Sequence, residues 1–165
     1  MLITGTQVVR NFFTTLGVPP IMGCTFRMEE TWEGQDDDVV ISHALWVNYF
    51  GSDPDAIGKR IEFAAGDAEV LGVMPPGFRF PSEQIQFWTT YGWATGARSE
   101  TWFRRAHLVR AFARLAPDVS QAEADAQLQV VVQRLQEEYP ETNRVMGTGM
   151  TPLRNFLIKD IRSPQ

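Results

Sequence analysis

The sequence predicts an α+β fold, and three features predict it. Residues 60–73 read as a β-hairpin, residues 120–139 read as a capped helix between two strand-like segments, and the composition is 44% hydrophobic with 11 Phe and 5 Trp. That aromatic load supplies enough apolar surface for a core without disulfides. A length of 165 residues suits one domain or two small subdomains that share an interface.

Between Gln7 and Leu16, the residues Val8, Val9, Phe12, Phe13 and Leu16 recur at helical spacing, and Gly17 with Pro19-Pro20 ends the run. This predicts a short helix. Residues 27–38 are a polar loop ending in Asp36-Asp37-Asp38. The β-branched run Val39-Val40-Ile41 predicts a buried strand. Ser42 then caps a helix carrying Ala44, Leu45, Trp46, Tyr49 and Phe50, which Gly51 stops. Ser52-Asp53-Pro54-Asp55 is turn chemistry.

In the hairpin, Ile61 and Phe63 alternate with polar neighbours and Val70, Leu71 and Val73 answer them, with Gly66-Asp67 as the tight turn. It ends at Met74-Pro75-Pro76-Gly77, where proline has no N–H for a ladder. Gln86–Thr89 has strand character. The rest of 78–106 is aromatic and irregular, a length of connection that in a compact domain signals function.

Leu108–Leu115 alternates and predicts a strand with one wetter face. Ser120-Gln121-Ala122-Glu123 is a capping box. It opens a helix to about Tyr139 that buries Ala124, Leu128, Val131 and Leu135 and stops at Pro140. Residues 146–153 read as a returning strand, which closes a β-α-β unit.

The net charge is −5, from 15 Lys+Arg against 20 Asp+Glu. Nucleic-acid binders and proteins that adsorb to anionic membranes need a concentrated basic surface. The densest basic pair here, Arg104-Arg105, stands beside Trp102 and Phe103 and reads as a solvated edge. Cys24 is the only cysteine, so no intramolecular disulfide forms, and a small buried residue is expected there. No apolar run reaches the ~18 residues of a membrane span, and the N-terminus lacks the pattern of a signal peptide. Any membrane anchor of a parent protein is expected outside these residues.

Chemistry-bearing sets are sparse. His43 and His107 are the only histidines, and neither has a second ligand at metal-site spacing. Asp36-Asp37-Asp38 lacks the alternating oxygens, central Gly and distal Glu of a calcium loop. Gly147-Thr148-Gly149 lacks the third Gly, the Lys and the following helix of a phosphate loop. Glu137-Glu138 lies at a helix end facing solvent, and no Ser sits in a nucleophile elbow. The expectation is a non-enzyme with no metal and no cofactor. Phe78, Arg79, Phe80, Trp93 and Trp102 form the candidate partner or substrate surface; the plainer alternative is that such aromatics fill a core between subdomains. A free-standing ligand-binding or sensor module using the aromatic region 78–103 is the alternative function.

Several segments together resemble one family. Asn11-Phe12-Phe13-x-x-Leu16-Gly17-Val18-x-Pro20-x-x-Gly23-x-x-Phe26 is followed by Val39-Val40-Ile41-Ser42, Leu45-Trp46, Phe50-Gly51 and Asp53-Pro54-x-x-Ile57-Gly58-Lys59-x-Ile61. Val70-x-Gly72-Val73-Met74-Pro75-Pro76-Gly77-Phe78-x-Phe80-Pro81 and later Tyr139-Pro140-x-Thr142-Asn143 complete the series. In order and spacing this resembles the MacB-like periplasmic core domain of ABC transporter permeases (the macrolide-exporter/FtsX-like permease family). Cys24 stands where kin carry Arg, and residues 90–105 match poorly.

The resemblance implies two small α/β lobes. One is a mixed-sheet lobe with a β-hairpin over residues 1–95. The other is a porter-like β-α-β lobe over residues 96–165, incomplete because the family's first β-α segment precedes this stretch. It also implies a place on the periplasmic side of the bacterial inner membrane. The implied partners are the permease's transmembrane helices, a cytoplasmic ATPase domain or subunit and a periplasmic adaptor protein. The implied activity is mechanotransmission, in which ATP-driven motion of membrane helices is coupled to substrate export.

Overall fold

Strand-forming segments dominate the first of the two units into which the chain divides, Met1–Ala97; the second is Arg98–Gln165. The computed structural model describes residues 3–27, 38–63, 66–92, 96, 100–106 and 109–162, excluding the side chains of 104 and 158–162. The first unit runs β1 (Thr4–Val8), α1 (Phe12–Leu16), β2 (Met22–Gly23), β3 (Asp38–Ile41), α2 (His43–Phe50), a 3-10 turn (Pro54–Ala56), β4 (Arg60–Phe63), β5 (Gly66–Val73) and β6 (Ile85–Thr90). The molecule is α+β, as the sequence predicts.

Among the described residues, six strands form one mixed sheet in the order β1-β6-β3-β5-β2, with β4 also on β5. β3 lies at its centre, parallel to β5 and antiparallel to β6. β2 and β4 share the other edge of β5: β2 takes Gly72 and Val73, and β4 takes Gly66–Glu69.

Both faces of the sheet are covered, and the side-chain alternation of β3 shows how. Val40 packs with Val8, Phe12, Phe13, Phe26, Met74, Ile85 and Trp88 on the α1 face. Val39 and Ile41 point the other way, onto Leu45 of α2 with Ile61, Ala68, Val70 and Val73. All three β3 aliphatics are fully buried. Each contributes about 1.5–3 kcal/mol relative to an exposed position.

Two irregularities shift the side-chain alternation within a strand. The β1–β6 register jumps from Thr4↔Ile85 to Gly5↔Phe87, so Gln86 is the extra residue and Ile85 and Phe87 reach opposite cores. The β3–β5 register jumps from Val39↔Val70 to Val40↔Gly72, which leaves Val70 and Val73, three residues apart, in the same core.

Helix boundaries follow the local chemistry. The Ser42 hydroxyl accepts from the Leu45 N–H at 3.1 Å, which caps α2. Gly17 and Gly51 end α1 and α2 in the left-handed conformation.

Several expectations need correction. Residues 7–16 do not form one helix: Gln7 and Val8 belong to β1, and the helix begins at Phe12. Pairing with β6 overrides the helical spacing. Gly66-Asp67 is not the hairpin turn, because both residues pair in the ladder as Phe63↔Gly66 and Glu62↔Asp67; the two-residue connection at 64–65 lies outside the described residues. Cys24 is exposed. Its backbone N–H donates to Leu71 O at 2.9 Å at the sheet edge, which leaves the side chain outward.

The second unit runs α3 (Thr101–Arg105), α4 (Gln121–Glu138), α5 (Pro140–Asn143) and α6 (Leu153–Arg162). The predicted capping box is present: Glu123 N–H donates to Ser120 Oγ at 3.2 Å, and Ser120 N–H to Glu123 Oε2 at 2.8 Å. Pro140 ends α4 as expected and opens α5 as its first residue. The expected strands at 108–115 and 146–153 are not laddered among the described residues, and Leu153 instead begins α6. A strand needs a neighbouring strand for its ladder, and among the described residues none pairs with 109–116. Side chains hold that segment instead: Phe112 meets Phe156 edge-on at 6.2 Å, and the Arg110 guanidinium lies 5.5 Å above the same ring.

α4 is also less buried than its sequence predicts. Ala124, Leu128 and Leu135 are half-buried, and Val131, at the margin of that stripe, is half exposed. No described residue of the second unit is buried.

A β-carbon added at Gly5 would fall 2.1 Å from the Phe87 ring, and Phe63 stacks on that ring at 4.2 Å. The ring therefore has little room to yield. Gly5→Ala is expected to destabilise the first unit by about 1–3 kcal/mol. The urea midpoint should fall at unchanged m-value, and an unchanged midpoint would contradict the packing described.

Candidate functional site

The segment between β5 and β6 carries three of the five residues singled out in the sequence. It leaves the sheet at Met74, whose N–H donates to Ile41 O at 2.8 Å. Pro75 and Pro76 have no N–H to extend the ladder. Gly77 has φ +83°, and the Phe78 N–H closes the turn on Pro75 O at 3.1 Å.

Phe78 and Phe80 then fold back onto the α1 face as half-buried members of its core. The Phe78 ring lies 5.2 Å from Trp88 and 5.9 Å from Phe13, and Phe80 stacks on Phe12 at 5.8 Å. Trp88 is fully buried, and its indole N–H donates to Phe80 O at 2.9 Å. A buried Trp with a satisfied N–H contributes both area and a directional tie.

Arg79 projects outward between the two rings, exposed and paired with Glu83 at 3.0 Å. Trp102 belongs to the second unit, where it is 56% exposed and meets Phe103 edge-on at 5.8 Å. Trp93 lies outside the described residues. Of the five residues, the structure brings together Phe78 and Phe80, through Trp88.

A second constellation ties α2 to β4. Asp53 accepts the Asp55 N–H at 2.9 Å and the Lys59 ammonium on its carboxylate, and its backbone C=O accepts the Trp46 indole N–H at 2.8 Å. These bonds fix the 3-10 turn, which seats Ala56 fully buried and aims Gly58 N–H at Val70 O, 2.9 Å away. The Lys59 hydrogen bond first, and then the Asp55 N–H, hold the Asp53 carboxyl below the ordinary carboxylate range. The spacing Trp46, Asp53, Pro54, Lys59 is visible in the sequence as turn chemistry and as part of the family series; its role as a staple depends on the approach of the Trp46 indole to Asp53 O.

The remaining titratable groups are separate. His43 is half-buried at the start of α2, edge-on to Trp46 at 5.3 Å; His107 lies outside the described residues. Asp38 begins β3, and Asp36 and Asp37 lie outside the described residues. An open hollow of roughly 430 Å³ is lined by Tyr49, Arg60, Glu62, Phe63, Gly66 and Asp67. Its Arg60 and Asp67 are paired with each other, and the Arg60 hydrogen bond lowers the Asp67 pKa. Among the described residues no three His, Cys, Asp or Glu side chains converge as a metal site would require, and no helix is long and apolar enough to cross a membrane.

The profile of the MacB-like periplasmic core domain family matches residues 1–131. The chain belongs to that family. As a MacB-like periplasmic core domain it can be set beside two solved structures. The periplasmic region of MacB from Actinobacillus actinomycetemcomitans aligns with TM-score 0.56 and 11% identity, over 96% of this chain and 65% of that one. A domain of a putative permease protein from Porphyromonas gingivalis aligns with TM-score 0.46 and 19% identity, over 84% of this chain and 58% of that one. The chain thus spans less than two thirds of either structure. No curated protein sequence matches it. The first alignment shows a shared fold, and the family match ends within α4, so residues 132–165 lie beyond it.

The Asp53 staple predicts a pH dependence. A carboxyl with a lowered folded pKa stabilises the fold above its unfolded pKa, and that contribution is lost as pH falls through the folded value. Asp53→Asn is therefore expected to lower the urea midpoint at neutral pH and to flatten the acid limb of the stability curve. An acid limb identical to wild type would contradict the staple.

Proposed function

We propose that this MacB-like domain is the extracytoplasmic, periplasmic part of an ABC-type efflux or export permease. In this reading it couples ATP-driven motion of membrane helices to substrate export by mechanotransmission, and it catalyses no reaction and takes no cofactor. Its partners are the permease's transmembrane helices, a cytoplasmic ATPase domain or subunit and a periplasmic adaptor protein. Phe78, Arg79, Phe80, Trp93 and Trp102 are the residues proposed for contact with partner or substrate, with Arg79 and Trp102 as exposed members.

The observation that carries this reading is what the family-signature residues do. Phe12, Phe13, Leu16, Val18, Phe78 and Phe80 pack against one face of the sheet, and Leu45, Trp46 and Ile61 against the other. A signature devoted to packing favours a body that moves as one piece over a pocket that performs bond chemistry. The full reading frame provides the test: apolar spans of about twenty residues should flank this domain on both sides. A frame without them, or stoichiometric ATP hydrolysis by the purified chain, would overturn the proposal.

The second unit is further proposed to be a porter-like lobe whose core is completed by a surface outside these residues. This rests on an 18-residue helix with no buried side chain, because a unit that buries so little apolar area has little to set against its conformational entropy. In urea the 165-residue chain should lose α4 helicity, followed by circular dichroism, well before the Trp88 environment changes. One coincident transition for both probes would contradict the proposal.

A further inference from the structure

Three glutamines of α4 make one repeated contact. Gln121 Nε2 donates to Met150 O at 3.2 Å, Gln129 Nε2 to Thr148 O at 3.1 Å and Gln136 Nε2 to Met146 O at 2.7 Å. As the helix positions rise, the acceptors fall by two residues at each step. The segment 146–150 therefore runs antiparallel to α4 and turns alternate carbonyls toward it, which is the period of an extended chain. Gln121, Gln129 and Gln136 lie within about 80° of one another on a 3.6-residue helix, on the same side as the half-buried Leu128 and Val132.

Backbone carbonyls that would belong to a ladder are here satisfied by side-chain amides. The segment joins the turn after α5 to α6, and β-carbons added at Gly147 or Gly149 would meet nothing within 4 Å. Apolar packing at the glycines is therefore absent. At its far end Asn155 and Phe156 donate to Pro152 O at 2.9 and 3.1 Å, which begins α6.

We infer that residues 146–152 form a strap held to α4 by this glutamine zipper, and that it opens as a unit, starting from the α6 end, while α4 stays folded. The bonds of Gln121 and Gln129 are exposed and that of Gln136 is partly buried and shortest. Water competes most strongly for the exposed pair, so the zipper loosens toward Met146. Its opening displaces the start of α6 without breaking any backbone bond of α4, and the inference stands whether or not the chain serves a transporter.

Hydrogen exchange on the full 165-residue chain, read by mass spectrometry, tests it. Each glutamine donor is expected to change the opening equilibrium about fivefold. The triple variant Gln121→Ala, Gln129→Ala, Gln136→Ala should therefore speed exchange of the Asn155 and Phe156 amides by well over tenfold. Peptides within 124–135 should keep their wild-type rates, since Ala is a stronger helix former than Gln. Gln136→Glu, isosteric but unable to donate, should show the same local effect in smaller measure. Gln127→Ala with Gln133→Ala, on other faces of α4, should have none. Unchanged exchange at 155–156, or equal acceleration throughout α4, would overturn the inference.

Discussion

Val39, Val40 and Ile41 leave neither face of β3 in contact with water, and this constraint organises the first unit. A strand buried on both sides requires a cover on each. α1 with the 75–81 segment supplies one and α2 with the β4–β5 hairpin the other. Because a strand sends successive side chains to opposite faces, its neighbours must also reach both cores. The bulges at Gln86 in β6 and at Leu71 in β5 set which side chains face each core, since each shifts the alternation by one residue.

The staple at Asp53 and the indole of Trp88 are secondary ties on the same frame. Trp46 to Asp53 holds the exit of α2 where Ala56 can enter the core. Trp88 to Phe80 holds the returning aromatic segment against α1. Both are contacts across seven or eight residues of sequence in which a buried or half-buried indole finds a backbone carbonyl. Neither site contains a nucleophile next to a base, and the polar groups at each are bonded to their own scaffold.

Local chemistry was legible wherever it decides the outcome locally. The Ser42 cap, the Gly17 and Gly51 stops, the Ser120–Glu123 box and the proline break after Met74 all stand where the sequence places them. Pairing was not legible. Nothing in Thr4–Val8 announces that β6, some eighty residues later, will claim it as a strand, and Gly66-Asp67 looks like a turn until its partners in β4 are known. In the second unit the alternation of 108–115 is real, yet alternation specifies a strand only when a neighbour exists to pair with it. The aromatic candidates show the same limit. Composition marks Phe78 and Phe80 as notable, and only the fold reveals that their contacts are with Phe12, Phe13 and Trp88.

The apolar residues that mark the family in the first unit thus build the sheet and its two covers, and the account assigns them to holding a body rigid. The export proposed for the full-length protein, measured alongside the amount of folded protein, tests this most directly. Trp46→Phe and Phe13→Leu remove a tie and an aromatic contact without introducing charge. The account predicts that each lowers transport only in proportion to the folded protein lost, and that a compensating stabilising substitution elsewhere restores it. A family-signature substitution that abolishes transport while the protein remains fully folded and stable would contradict it.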